Sequence, residues 1–284
     1  MTRRTESIVE TAPSVQKILD RLEAAQTMQS LALIVGESGV GKTTACRRYV
    51  ADERAARTYT ATETTYEWEN DHIAGRPMPV PGSRSTFQEE RRHPPTVRLM
   101  ELDPSCCDVR GFLIELAAAM GDDSEYAFRR GAWLAARRAK ERIERFIGDA
   151  LDKPCLLIVD NAQHLSAPAL EQVRSIHELT GIAIALVGNP TVAGKIAPVA
   201  AVNSLVAMRM VIGTPEPGDI DAVAAQHGIA DKAARKHLRQ VGAKPGGLHK
   251  VVNAIRFAAP MAGEGEPLQL RHLQMAGVIT GVAS

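Results

Sequence analysis

One run constrains this chain more than any other: Gly36-Glu37-Ser38-Gly39-Val40-Gly41-Lys42-Thr43. It follows the apolar stretch Leu31-Ala32-Leu33-Ile34-Val35. It precedes Thr44-Ala45-Cys46-Arg47-Arg48-Tyr49-Val50, which reads as the first turns of a helix. Strand, glycine-rich turn and helix form the setting in which G-x-x-x-x-G-K-[ST] binds phosphate. The glycines permit positive φ and leave no Cβ between the backbone and an anion. Successive N–H groups and the helix N-terminus then point at a phosphate chain. On this reading Gly36 to Thr44 cradle a nucleotide and Lys42 reaches its β- and γ-phosphates. The Thr43 hydroxyl ligates Mg²⁺.

A second run supplies the carboxylate such a site needs. Cys155-Leu156-Leu157-Ile158-Val159-Asp160 is apolar until its last residue. It reads as a buried parallel strand that delivers Asp160 at its C-terminal end, where α/β sheets bind ligands. Asp160 is therefore the expected partner of Mg²⁺, directly or through one of the ion's ligands. Ile182 to Val187 reads as another buried strand, ending in Gly188-Asn189-Pro190. Asn189 either hydrogen-bonds the attacking water or the γ-phosphate, or simply forms a turn. Leu205 to Ile212 contains a last strand, with Arg209 inside it. The catalytic candidates are Asp160, Asn161 and Asn189.

Around these strands the periodicity predicts helices. Val15, Ile18, Leu19 and Leu22 fall at helical spacing just upstream of the phosphate loop. Thr96 to Leu102 reads as a strand, and a helix with Val109, Phe112, Leu113, Leu116 and Met120 follows it. A longer helix is predicted from Tyr126 to Ala150, with Trp133, Leu134, Ile143, Phe146 and Ile147 on its core face. The stretch from Thr58 to Pro95 reads as an irregular insertion, with five prolines between Pro77 and Pro95. Tyr66 and Trp68 lie there with Arg76, Arg84, Arg91 and Arg92, a mixture that suits nucleic acid or an untethered surface loop. Gly213 to Gly218 is a hinge. Helical patterns resume at Ile220–Gln226, Asp231–Gln240, Leu248–Phe257 and Leu268–Met275. The expected division is an α/β nucleotide-binding core over 1–213 and a small helical lid over 214–284.

A chain of 284 residues accommodates that division. Its formal net charge of +1 provides no global basic field, so any nucleic-acid contact must use a local patch. Cys46, Cys106, Cys107 and Cys155 lack paired metal-ligand spacing. The polar first residues and the lack of an apolar run near the ~18 residues of a membrane span predict a cytoplasmic location without membrane contact.

The order of phosphate loop, Asp-ended strand, Asn-ended strand, Arg-bearing strand and helical lid resembles the AAA+ ATPases. Within them it is most similar to the transposition helpers, the transposition protein B family of Mu-type phages and the related insertion-sequence helpers. The residues that carry the resemblance are Gly36 to Thr44, Leu156 to Leu165, Val187 to Pro190, Ser204 to Met210 and Gly246 to Ile255. The resemblance implies a P-loop parallel sheet flanked by helices, with ATP and Mg²⁺ as cofactors. It also implies sequence-independent binding of double-stranded DNA, self-assembly into a ring or helical filament, and engagement of a transposase. A P-loop regulator or nucleotide-binding scaffold with no DNA role stays open as the alternative.

Three positions depart from the family pattern. Asn161 stands where the family carries a glutamate that polarises water, and an amide takes no proton. Leu205 follows Ser204 where the family commonly has a trans-acting arginine, a group worth about 10³-fold or more in rate. His249 stands where many AAA+ proteins place a sensing arginine. Together these predict ATP binding with slow or absent hydrolysis.

Overall fold

The computed structural model describes residues 11–65, 68–70, 77–79, 85–106, 108–121, 132–150, 153–263 and 266–280. Residues 1–50 and 96–284 form one compact unit and residues 51–95 a second. The chain opens on α1 (Pro13–Thr27), β1 (Leu31–Gly36) and α2 (Lys42–Ala56). The second unit contributes β2 (Thr58–Thr65), β3 (Trp68–Asn70), β4 (Pro77–Pro79) and β5 (Ser85–Arg92). Then follow β6 (Val97–Glu101), α3 (Val109–Ala119), α4 (Ala132–Asp149), β7 (Leu156–Asp160), α5 (Ala167–Thr180) and β8 (Ala183–Gly188). Two short helices, α6 (Thr191–Ile196) and α7 (Ala200–Leu205), lead into β9 (Val206–Ile212). The C-terminal helices are α8 (Pro217–Gln226), α9 (Lys232–Gly242), α10 (Gly247–Ala258) and α11 (Leu270–Thr280).

The apolar runs of the first unit make one five-stranded parallel sheet in the order β6-β7-β8-β1-β9. Every residue of β1, β7 and β8 is buried, as expected of strands covered on both faces. Alternation along the strands divides the core in two. Leu31, Leu33 and Val35 of β1 pack with α3, α4 and α5 through Phe112, Ile143 and Leu170. Ala32 and Ile34 face the other way, against Ile18 and Leu22 of α1, Cys46 of α2 and the C-terminal helices. The two sets alternate because successive side chains of a strand point to opposite faces. Phosphate loop, Glu101 and Asp160 consequently emerge together at the carboxyl edge, since all five strands run the same way.

The C-terminal helices are tied to α1 by a buried carboxylate. Asp219, 3% exposed, accepts the Ser14 amide at 2.7 Å and the Glu216 amide at 2.8 Å. The second bond is half of a capping box that starts α8.

One expectation changes. The irregular reading of 58–95 gives way to an antiparallel ribbon in which β2 pairs with β5 from Thr58↔Arg92 to Thr65↔Ser85. Thr58, Thr60, Thr62 and Thr64 recur at period two, a β-branched pattern that suits a pleated strand without an apolar face. Backbone ladders need no hydrophobic alternation, so the prolines and charges of this stretch masked it. Within this unit the His93 ring stacks on Tyr59 with centroids 4.6 Å apart. Tyr66, Arg76 and Arg84 lie outside the described residues, and so do the side chains of Trp68, Arg91 and Arg92. The helix expected from Tyr126 is described from Ala132 only, and its Trp133 and Leu134 side chains also lie outside. Its Ile143 and Phe146 are buried as expected. Among the described residues no helix is long and apolar enough to cross a membrane.

Candidate functional site

Where β1 ends, the chain turns into α2 through a loop whose geometry only glycine tolerates at two points. Gly39 and Gly41 take φ of 85° and 93°. Val40 between them is buried, anchoring the loop in the core. Glu37 and Ser38 are exposed at its tip. A Cβ on Gly39 would also stand 2.1 Å from the Gly246 carbonyl oxygen, because the loop lies against the turn that starts α10. The Leu248 amide at that turn donates to the Gly39 carbonyl at 2.9 Å. Phosphate loop and C-terminal helices thus meet backbone to backbone.

Lys42 folds over the loop, donating to the carbonyls of Gly36 at 2.7 Å and Glu37 at 2.9 Å. Burial pulls its ammonium pKa down, while Asp160 and Glu37 pull it back up. The Thr43 hydroxyl donates to Asp160 Oδ2 at 2.6 Å, and Asp160 Oδ1 accepts the Asn161 amide at 2.8 Å. Asp160 is 1% exposed, so both its oxygens are satisfied inside the protein. Thr43 and Asp160 offer the hard oxygen donors that Mg²⁺ prefers. Among the described residues no cluster of three His, Cys, Asp or Glu could hold a metal ion by itself. A magnesium here would take its remaining ligands from phosphate and water, its usual habit.

These groups open on a cavity of about 710 Å³. The loop lines it with Ser38, Gly39, Gly41, Lys42, Thr43 and Thr44, and α2 adds Arg47. The strand ends contribute Asn161, Gln163 and Asn189. The sequence-predicted residues are therefore brought together; Gly36, Glu37, Val40 and Asp160 do not line the cavity themselves, and Asp160 joins it through its bond to Thr43.

The amides at the strand ends also bond to one another and to the turns that carry them. Asn161 sits in the left-handed region at φ 57° and ψ 34°, a conformation asparagine accepts more readily than most side chains. Its Oδ1 accepts from Gln163 Nε2 at 3.3 Å, and its Nδ2 reaches the Leu102 carbonyl at 3.4 Å. Gln163 in turn accepts the Asn189 amide at 3.2 Å. Lys195 of α6 pins this turn by donating to the carbonyls of Gln163 and Leu165. Asn189 Oδ1 accepts both the Thr191 amide and hydroxyl, so it makes a turn while facing the cavity.

Sequence reasoning missed part of the cavity wall. It singled out His249, which does line the cavity, but Asn253 and Arg256 of α10 line it too. Their spacing of four and then three residues puts all three on one helical face, and that regularity was the available signal. The strand expected within Leu205 to Ile212 is Val206–Ile212, and Ser204 and Leu205 end α7. Arg209 is exposed on the sheet's edge strand and donates to the Asn203 carbonyl and side-chain oxygen at 3.0 and 2.7 Å.

Comparison with known proteins agrees with this geometry. A family model described as AAA domain matches residues 25–196. A second, described as Mu B transposition protein, C terminal, matches residues 204–277. The Mu-like prophage FluMu DNA transposition protein B of Haemophilus influenzae is 30% identical over 251 residues, covering 85% of this chain and 69% of that relative. The ATP-dependent target DNA activator B of Escherichia phage Mu is 28% identical over 270 residues, or 93% of this chain and 70% of the relative. Among solved structures, Aeropyrum pernix ORC1 in complex with DNA superposes with a TM-score of 0.61 at 14% identity, over 94% of this chain. Aeropyrum pernix ORC2 gives 0.56 at 14% identity over 95%. The chain spans 64% and 66% of those two proteins, under two thirds of each, and the likeness is one of fold. The chain belongs to the AAA-domain ATPases and, within them, to the Mu-type transposition protein B family.

Proposed function

We propose that this protein is an ATP-dependent transposition helper. It binds ATP, assembles as a homo-oligomer on double-stranded DNA without regard to sequence, and engages a transposase. The observation that carries the nucleotide part is the cavity that joins the phosphate loop, the Thr43–Asp160 pair and the polar face of α10. The DNA and transposition parts draw support from relatives named as target DNA activators and transposition proteins.

In this reading the N–H groups of residues 36–44 hold the phosphates, and Lys42 leaves the Gly36 and Glu37 carbonyls to bridge the β- and γ-phosphates. Thr43 and Asp160 would hold Mg²⁺, which would offset charge on the phosphates. Asn161, Gln163 and Asn189 form a polar wall near the terminal phosphate. The division of labour follows the chain: 1–213 as nucleotide core and 214–284 as lid. Because α10 starts on the Gly39 carbonyl, phosphate binding is felt by the lid through the main chain. Turnover is slow, because Asn161 is no base and Leu205 supplies no charge to a neighbouring subunit's phosphate.

The deciding experiment is a gel shift with random-sequence duplex, with and without ATP. Retardation that requires ATP is expected. ATP binding without any retardation would support the alternative of a nucleotide-binding regulator or scaffold with no DNA role.

A further inference from the structure

Beyond the last paired residues of β7 and β8, one glutamine side chain joins what the sheet no longer joins. The ladder between these strands ends at Val159↔Leu186. Gln163 lies in the turn after β7, and its Oε1 accepts the Asn189 amide at 3.2 Å. That backbone donor, just past β8, thereby finds its partner outside the ladder. Gln163 Nε2 donates to Asn161 Oδ1 at 3.3 Å and lies 3.5 Å from His164 Nε2. One amide thus bonds to both asparagines, which arrive from different strands.

The seat is shaped for this side chain. A Cβ on Gly188 would stand 2.6 Å from Gln163 Oε1 and 2.7 Å from Val192 Cγ2, so only glycine leaves the amide its place. Lys195 of α6 donates to the carbonyls of Gln163 at 2.5 Å and Leu165 at 3.1 Å. Lys195 is not among the residues that line the cavity, so it fixes the turn without entering the site.

The same bonds continue into the phosphate loop. The Thr43 hydroxyl donates to Asp160, Asp160 accepts the Asn161 amide, and the Asn161 side chain accepts from Gln163. Asn161, Gln163 and Asn189 all line the cavity. Each of these side-chain amides carries two N–H donors, the groups from which a phosphate oxygen accepts. Thr43 directly follows Lys42, the residue read above as reaching the β- and γ-phosphates. On that reading the wall held by Gln163 stands at the terminal end of the phosphate chain, where ATP and ADP differ.

We infer that Gln163 is a positioning residue that sets Asn161 and Asn189 as one wall, and that through this wall the site distinguishes ATP from ADP. This rests on the nucleotide reading above and deepens it. Without the glutamine amide, Asn161 Oδ1 and the Asn189 backbone lose their shared partner, and the wall no longer presents its donors together. ADP is held by the loop and Lys42 and has no phosphate for the wall to meet. Lys195 contributes at one remove, by fixing the backbone that carries Gln163.

The test measures ATP and ADP affinity by calorimetry, together with the thermal midpoint, for the full-length wild-type chain and for Gln163→Leu, Lys195→Met and Lys195→Arg. Gln163→Leu is expected to keep ADP affinity within about threefold and to weaken ATP binding by roughly 10-fold or more, as loss of hydrogen bonds to a charged group does. Lys195→Met should shift the ratio of the two affinities in the same direction but less, and Lys195→Arg, which still donates, should restore it. If Gln163 only fills space between two turns, ATP and ADP affinity fall together with the midpoint, and the assignment is overturned. An unchanged ratio in Gln163→Leu also overturns it. Should that variant fail to fold, a wild-type ratio in Lys195→Met overturns it instead. Failure of the wild type to bind either nucleotide would remove the nucleotide reading itself and this assignment with it.

Discussion

Lys42 shows how burial and loop contacts ready a single residue for phosphate. Its ammonium is partly desolvated and donates to two carbonyls of its own loop. Phosphate offers a full charge in place of those dipoles. Charge-assisted hydrogen bonds contribute about 1.5–3 kcal/mol. Lys42→Ala should therefore weaken ATP binding by roughly 10- to 100-fold, read by calorimetric titration; unchanged affinity would refute the site. Gly39 is constrained twice, by its positive φ and by the Gly246 carbonyl. Gly39→Ala should lower stability by at least about 1–2 kcal/mol in urea unfolding. A neutral result would mean that the loop and the start of α10 separate easily.

At the scale of elements, the helix after the hinge is secured by one carboxylate rather than by apolar area alone. Asp219 serves both the start of α8 and the start of α1, two places far apart in the chain. Asp219→Ala leaves the buried Ser14 amide and the part-buried Glu216 amide without their acceptor and should cost about 1–3 kcal/mol in urea unfolding. The ribbon of β2 and β5 is a different kind of element. Its strands pair with each other and not with the parallel sheet. Replacing residues 58–92 with a short Gly/Ser linker should leave the main thermal transition near wild type while weakening retardation of random duplex. Collapse of the cooperative transition would show that the ribbon belongs to the folding unit.

At the scale of the whole molecule, the parallel sheet collects residues from many segments at one edge, and a nucleotide would join them. A ligand that binds only the folded state at 100 times its Kd stabilises that state by about 2.7 kcal/mol. ATP with Mg²⁺ should raise the thermal midpoint, and Lys42→Ala should abolish the shift. The proposed assembly gives a second test. Sedimentation with ATP and random duplex should show species well beyond the monomer, and ATP that turns over slowly should make them long-lived. Rapid return to monomer at saturating ATP would count against slow turnover.

The sequence alone determined the parts of this protein that are local. The phosphate loop, the buried strands and the placement of Asp160 were legible because each is written in consecutive residues: glycines where φ turns positive, apolar runs where both faces are covered. The helices of the C-terminal segment were legible from their 3.6-residue period, and His249 from the family resemblance. The tertiary structure alone decided what depends on segments distant in the chain. Arg47 and Glu101 are 54 residues apart, and only the pairing of β6 with β7 sets Glu101 beside Asp160. The contact of Leu248 with Gly39, and Arg256 in the cavity wall, arise from how α10 docks on the loop. Asn161 read as a lost catalytic glutamate, yet its left-handed backbone provides a local reason for the amide. Strand order and helix docking are settled by burial summed over the whole core, a quantity that no single stretch of sequence contains.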